Sequence, residues 1–163
     1  MGKLENKVAI ITGATGGIGA AMAVAFAKEG AKIVVVGTNE ERGQKSVAAV
    51  EAAGGEAFFR KTDLTKVENI QGLIDDAVAK FGRIDILVNN AGADDPITWT
   101  PADVTEEEYD RVMSVNAKIP FFLSQKVAPF MKENGGGAII NTASIASTGA
   151  GRGPIVYTIS KHA

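Results

Sequence analysis

The sequence predicts an α/β fold, a doubly wound parallel sheet with helices on both faces. Three observations predict it. Short apolar runs rich in β-branched residues alternate with longer stretches whose apolar residues recur at helical spacing. The first of them, Val8 to Thr12, is the kind of short apolar run expected of a strand covered on both faces. Glycines and helix-capping residues stand at the junctions. Strands alternating with helices connect through right-handed crossovers, which lay helices on both sides of the sheet.

Val8 to Thr12 is the first strand; a glycine cluster follows, and Ala20 to Glu29 is an alanine-rich helix that Gly30 ends. Lys32 to Val36 is the second strand. Glu40 to Ala53 is a polar helix stopped by Gly54 and Gly55, and Ala57 to Thr62 is the third strand. Thr65-Lys66-Val67-Glu68 has the form of a capping box, in which hydroxyl and carboxylate each satisfy an orphan backbone donor. The helix it opens carries Val67, Ile70, Ile74, Ala77, Val78 and Phe81 in one apolar stripe. Ile84 to Val88 is the fourth strand. Thr105 to Glu108 repeats the capping box ahead of a helical region that continues over Phe121 to Lys132, and Ala138 to Thr142 is the fifth strand.

With 163 residues, 45% hydrophobic and 22% charged, the chain is long enough for one domain. A domain of this size buries about 70% of its unfolded surface. No repeat, low-complexity segment or linker divides it, so a single domain over residues 1–163 is expected. The net charge is −2 and no basic run occurs, which argues against nucleic acid or an anionic membrane as partner. The absence of cysteine removes disulfides, zinc ribbons and thiol nucleophiles, and suits a reducing compartment. The N-terminus, MGKLENK, has no secretory pattern, and Asn6 stands where a myristoylation motif headed by Gly2 needs Ser or Thr. No apolar run reaches the ~18 residues of a membrane span. A cytoplasmic protein is expected.

Between the first strand and first helix stands Thr12-Gly13-Ala14-Thr15-Gly16-Gly17-Ile18-Gly19. Glycines there let a backbone approach a pyrophosphate, whose charge then sits at the positive end of the following helix. The spacing is G-x-x-x-G-x-G rather than G-x-G-x-x-G, and alone it fits a packing turn as well as a phosphate cradle. Two further motifs stand in order after it: Asn89-Asn90-Ala91-Gly92 after the fourth strand, then Ser144 followed by Tyr157-x-x-x-Lys161. Together these resemble the short-chain dehydrogenase/reductase family.

The resemblance implies a Rossmann-type sheet, NAD or NADP as cofactor, and hydride transfer to or from a carbonyl or secondary alcohol, with no metal. It implies that Gly13, Thr15, Gly16, Gly17, Ile18 and Gly19 hold the dinucleotide, together with Asn90, Ala91 and Gly92. Asp63 and Leu64 match the family's adenine-contacting pair. Tyr157 is then the general acid for reduction and the general base for oxidation. A phenol is a poor base at neutral pH, and the ammonium of Lys161, four residues on and on the same helix face, favours its phenolate form. Lys161 also contacts the nicotinamide ribose, Ser144 holds the substrate oxygen, and Asn116 helps place a water that relays protons through the lysine.

Taken singly, each residue also has an ordinary reading: Tyr157 an interface aromatic, Lys161 a solvated charge, Ser144 a turn residue, Asn116 a side chain bonded back to the preceding turn. His162, the only histidine, is read as structural. At the end of the second strand Gly37 and Thr38 offer no acid to repel a 2′-phosphate, and Arg42 is placed to reach one; Glu40 and Glu41 act the other way. Gly16 also leaves the glycine loop without a basic residue, so the balance leans to NADP and NAD stays open.

The resemblance covers nearly the whole chain but about the first two thirds of a usual member, ending after the fifth strand. It leaves little more than one turn for the Tyr157–Lys161 helix and an uncovered apolar edge at Ala138–Thr142. Oligomerisation is expected through the region Thr105 to Lys132 and the helix of Tyr157. The segment Ala93 to Pro101, with Asp94, Asp95 and Trp99, is expected to line part of a substrate pocket. A 3-oxoacyl-thioester, a sugar and a steroid all fit as substrates. The alternatives to an enzyme are a dinucleotide-binding module without turnover and a purely structural α/β domain.

Overall fold

The computed structural model describes residues 2–95, 100–149 and 151–163. Five parallel strands form one sheet in the order β3-β2-β1-β4-β5. The central strand β1 (Val8–Thr12) is buried along its whole length. It pairs on one side with β2 (Lys32–Gly37), where Ile10 stands opposite Val34, and on the other with β4 (Ile86–Asn89), where Ile10 stands opposite Leu87. Strand β3 (Glu56–Lys61) adds beyond β2, and β5 (Ala138–Asn141) beyond β4.

The period of two along each strand divides the core between the sheet faces. Ile10, Val34 and Leu87 pack with Ile70, Leu73 and Ile74 of α3 (Asn69–Phe81) and Leu123 and Val127 of α5 (Ile119–Glu133). Their neighbours Ala9, Ile11, Ile33, Val35 and Val88 pack on the opposite face with Ala23 and Ala27 of α1 (Gly17–Lys28) and Val47 and Val50 of α2 (Glu40–Ala52). Fully burying each Ile, Leu or Val among these is worth about 1.5–3 kcal/mol. The Rossmann-type doubly wound sheet is therefore present, with β3 at one edge and β5 at the other, and all four residues of β5 are exposed.

Three local expectations need correction. The Thr65–Glu68 capping box does not form; Asp63 captures the Thr65 N–H and hydroxyl at 2.9 and 2.7 Å, and α3 starts only at Asn69. Val67 consequently precedes the helix, although it still packs on the core. Helix α1 begins at Gly17, three residues before the alanine-rich run, so the last glycines of the loop are inside the first turn. Strand β4 begins at Ile86 rather than Ile84; just ahead of it the Asp85 side chain takes the Val8 N–H at 3.0 Å.

The second capping box does form: Thr105 accepts from the Glu108 N–H and Glu108 reaches back to the Thr105 backbone, opening α4 (Glu106–Met113). The helical path toward α5 then passes through a π turn at Ser114–Lys118, in which the Ile119 N–H bonds to the Ser114 carbonyl. Pro120 contributes here, since it has no N–H to offer the carbonyl of Asn116. The final helix α6 (Ile155–His162) has eight residues, about two turns where little more than one was expected, because it starts two residues ahead of Tyr157. It packs against α4 and against the 3₁₀ turn Ile145–Thr148.

Candidate active site

Every candidate residue before α6 except Asn116 lies on a loop that leaves the carboxyl end of a strand, or in the first turn of the helix that follows it. Because β1 lies between β2 and β4, the strand order reverses there, and at such a switch point loops diverge and leave a crevice. The glycine-rich loop and the Asn90–Gly92 loop flank it.

The glycines divide into two kinds. Gly13 has φ +66°, and a Cβ there would stand 2.8 Å from Ala91 Cα. A Cβ on Gly19 would stand 2.4 Å from the Gly13 carbonyl oxygen and 2.6 Å from the Asn90 amide. These two serve close packing. Gly16 and Gly17 are exposed, and a Cβ on either would meet nothing within 4 Å. They border open space at the N-terminus of α1, whose first turn carries no acidic residue. An anionic pyrophosphate fits this cradle on both counts.

Thr12, whose side chain sequence reasoning passed over, organises the crevice. Its hydroxyl accepts from the Asn90 and Ala91 N–H groups, each at 3.0 Å, and donates to the Val88 carbonyl at 3.2 Å. The Asn90 side chain donates to the Thr12 and Gly13 carbonyls at 3.0 and 3.4 Å, so its amide is committed to holding the glycine loop. Thr12 is 2% exposed, and a buried hydroxyl must find partners of this kind. Asn89 likewise donates to Ser124 and Asn141, at 3.2 and 2.8 Å, tying β4 to α5 and β5.

At the ends of β2 and β3, Thr38 is exposed and a Cβ on Gly37 would stand 2.5 Å from the Thr15 side chain. Leu64 is buried in the core while Asp63 is exposed. The Thr65 N–H and hydroxyl hold the Asp63 carboxyl below its usual range. Thr15 also lines a shallow groove with Arg42 and Lys45 between α1 and α2.

Ser144 caps the 3₁₀ turn, accepting from the Ala146 N–H at 3.2 Å. Two residues before it, the Thr142 carbonyl accepts from the Lys161 ammonium at 3.0 Å. That ammonium lies 5.7 Å from the centre of the Tyr157 ring, so the two side chains share one face of α6 as the four-residue spacing requires. Among the described residues the Tyr157 hydroxyl has no hydrogen-bond partner. His162 bonds to the Thr158 carbonyl at 2.8 Å within the same helix, apart from this chemistry.

Asn116 does not bond back along its own helix. Its carboxamide accepts from the Ala93 N–H at 2.8 Å and donates to the Ala93 carbonyl and the Ser160 hydroxyl at 2.7 and 2.8 Å. Ser160 in turn donates to the Tyr157 carbonyl at 2.7 Å. The structure thus joins Asn116, the Ala93 loop and the Tyr157 helix in one frame, with Lys161 bonded to the loop that carries Ser144. A cavity of about 640 Å³ opens between β4, β5 and α5; Asn116 and Lys161 line it, whereas Ser144 and Tyr157 do not. Of the expected pocket segment, Asp94 and Asp95 are described, and Trp99 lies outside the described residues. Among the described residues no helix is long and apolar enough to cross a membrane.

The model of the family described as short chain dehydrogenase matches residues 7–163. The chain is 38% identical over 163 residues to a 3beta-hydroxysteroid dehydrogenase of Mediterraneibacter gnavus, covering 100% of this chain and 58% of that protein. Its fold superposes on NAD+-bound xylitol dehydrogenase with a TM-score of 0.92 at 34% identity, covering 98% of this chain and 61% of the other. A metagenomic short-chain oxidoreductase in complex with NADP gives 0.90 at 35% identity, with 97% and 71% covered. The chain therefore spans about three fifths of the curated relative's length. With the motifs, the strand order and the family model all in agreement, the chain belongs to the short-chain dehydrogenase/reductase family.

Proposed function

We propose that this chain carries the cofactor-binding and catalytic residues of an oxidoreductase that moves a hydride between NAD(P) and the carbon of a carbonyl or secondary alcohol. Residues 1–163 form one NAD(P)-binding unit in this reading, since both cores share a single sheet. The observation that carries the proposal is the Tyr157 phenol, without a partner among the described residues, beside the Lys161 ammonium on a helix tied to the sheet's carboxyl edge.

When bound, the nicotinamide dinucleotide supplies or accepts the hydride. In reduction the Tyr157 hydroxyl gives its proton to the substrate oxygen; in oxidation the phenolate takes that proton back. Lys161 stands beside the phenol on the same helix face, its ammonium 5.7 Å from the ring centre. The Ser144 hydroxyl donates to the substrate oxygen and fixes it against Tyr157. Asn116 holds the frame through its side chain, and the cavity it shares with Lys161 gives room for a water that returns protons to the lysine. Gly13 to Gly19, Asn90 to Gly92, Thr38, Asp63 and Leu64 form the dinucleotide crevice.

NADP is favoured over NAD. Thr38 presents no carboxylate to a 2′-phosphate, and Arg42 and Lys45 bring positive charge to the groove beside Thr15, although Lys45 also pairs with Glu41 at 2.7 Å. The substrate is a small molecule bearing a ketone or secondary alcohol. A steroid, a sugar alcohol and a 3-oxoacyl thioester form the panel to test, the first two because relatives carry those names. A homo-oligomer through α4 and α5 is supported by the exposed Tyr109 and Phe121 on those helices. The site is soluble and cytoplasmic in this reading.

The test is a binding titration with NADPH and NADH followed by turnover of the panel. Binding with turnover supports the enzyme. Binding with no turnover supports the alternative, a dinucleotide-binding module. A protein that binds neither nucleotide contradicts both readings.

A further inference from the structure

Helix α6 begins without a cap of its own. Its N-cap position is Pro154, and no side chain there bonds to the first turn. Helix starts leave orphan N–H groups that need acceptors, and Ser, Thr, Asp or Asn normally supplies one from the adjacent residue. Here the acceptor comes from a residue about sixty positions upstream. Asp95 Oδ1 accepts from the Tyr157 N–H at 3.1 Å, and Oδ2 lies 3.4 Å from the Val156 N–H. Asp95 is 3% exposed, among the most buried charged side chains described. Burying a carboxylate is costly unless it is hydrogen-bonded, and the positive end of a helix is a favourable place for one.

The residues before Asp95 are anchored one after another. Ala93 is held at both its N–H and its carbonyl by Asn116, and the Asp94 carbonyl accepts from Arg111 of α4 at 2.6 Å. The carboxylate is therefore presented to α6 from a fixed backbone. At the other end of the same turn, Ser160 is held by Asn116. Tyr157 is held at both ends of its backbone, its N–H by Asp95 and its carbonyl by Ser160.

We propose that Asp95 is a positioning residue that caps α6 from outside and sets the place of Tyr157 relative to Ser144. This rests on the reading of Tyr157 as the proton-transferring group. The carboxylate touches no reacting atom; it acts on the backbone of the residue that does. A displacement of about 1 Å at such a residue costs about 100-fold in turnover.

The experiment compares the parent protein with Asp95→Ala and Asp95→Asn by turnover, cofactor Kd and amide hydrogen exchange at Val156 and Tyr157. The Asn variant keeps a carbonyl acceptor of the same length, and the Ala variant keeps none. Asp95→Ala is expected to lose about 100-fold in kcat, with cofactor Kd unchanged and faster exchange at both amides. Asp95→Asn is expected to recover most of the rate and of the protection. Unchanged kcat or unchanged amide protection in Asp95→Ala would overturn the assignment, as would equal losses in the two variants. If Asp95→Ala does not fold, Asp95→Asn decides: near-parent rate and protection support the cap, and an Ala-like loss of rate with the protein folded overturns it. A parent without turnover refutes the functional reading instead, and the amide exchange alone then decides whether Asp95 holds the helix.

Discussion

The Asn116 carboxamide donates to the Ser160 hydroxyl across 2.8 Å, while its oxygen takes the Ala93 N–H at the same distance. One side chain in a π turn thereby joins the loop after β4 to the helix of Tyr157 and Lys161. Asn116→Ala leaves the Ala93 N–H and carbonyl without their partner in a half-buried place. The expected cost is about 1–3 kcal/mol of stability, read from denaturant unfolding, with a loss of turnover larger than the loss of cofactor affinity.

The glycines of the first loop separate by their surroundings. Gly19→Ala forces a methyl against the Gly13 carbonyl and the Asn90 amide, so it is expected to lower Tm and weaken cofactor binding together. Gly16→Ala meets only open space in the protein. It is expected to leave Tm unchanged and weaken NAD(P)H binding by about tenfold, the scale of one lost contact of about 1.4 kcal/mol. Thermal unfolding and fluorescence titration on the pair check the distinction.

Thr38→Asp tests the basis of cofactor choice. A carboxylate at the end of β2 repels a 2′-phosphate and accepts from ribose hydroxyls. The NADPH/NADH affinity ratio is expected to fall by about tenfold or more, a change of about 1.4 kcal/mol. An unchanged ratio means that discrimination lies elsewhere, with Arg42 as the next position to alter.

Asp85 makes stability depend on acid. Burial pushes its carboxyl up, but the Arg83 guanidinium at 2.5 Å, the Val8 N–H and the Lys7 ammonium outweigh burial and hold it below the usual carboxylate range. A group depressed in the folded state contributes stability above its unfolded value, near ~4, and loses it as pH falls through the folded value. Unfolding free energy is expected to decline as pH drops below about 4, and Asp85→Asn is expected to flatten that part of the profile. At neutral pH the same substitution is expected to cost about 1–3 kcal/mol, since the buried oxygen bonded to Val8 loses its charge.

Much of this fold was legible from pattern alone. Residues 8–11 and 33–36 are apolar and buried throughout, because a parallel sheet covered on both faces asks for nothing else. Pattern failed where a neighbouring group outbid a local preference. Thr65 and Glu68 satisfy the capping-box rule, yet Asp63 offers the Thr65 hydroxyl and N–H a closer partner. The candidate site was legible as a set of ordered motifs but not as a frame. Nothing near Asp95 or Thr12 in the sequence says that a carboxylate will cap a helix sixty residues away, or that one hydroxyl will gather two N–H groups from another strand's loop. Those contacts arise from topology, which brings strand ends together only once the sheet is assembled.

The most direct measurement of the central claim compares the parent with Tyr157→Phe by NAD(P)H formation from a secondary alcohol, with cofactor Kd measured on both. The phenyl ring keeps the packing of α6 and removes only the hydroxyl. Turnover is expected to fall by about 10²- to 10⁴-fold while cofactor Kd stays the same, the scale of a lost general acid–base. Equal turnover in the two proteins would contradict the assignment of Tyr157 as the group that moves the proton.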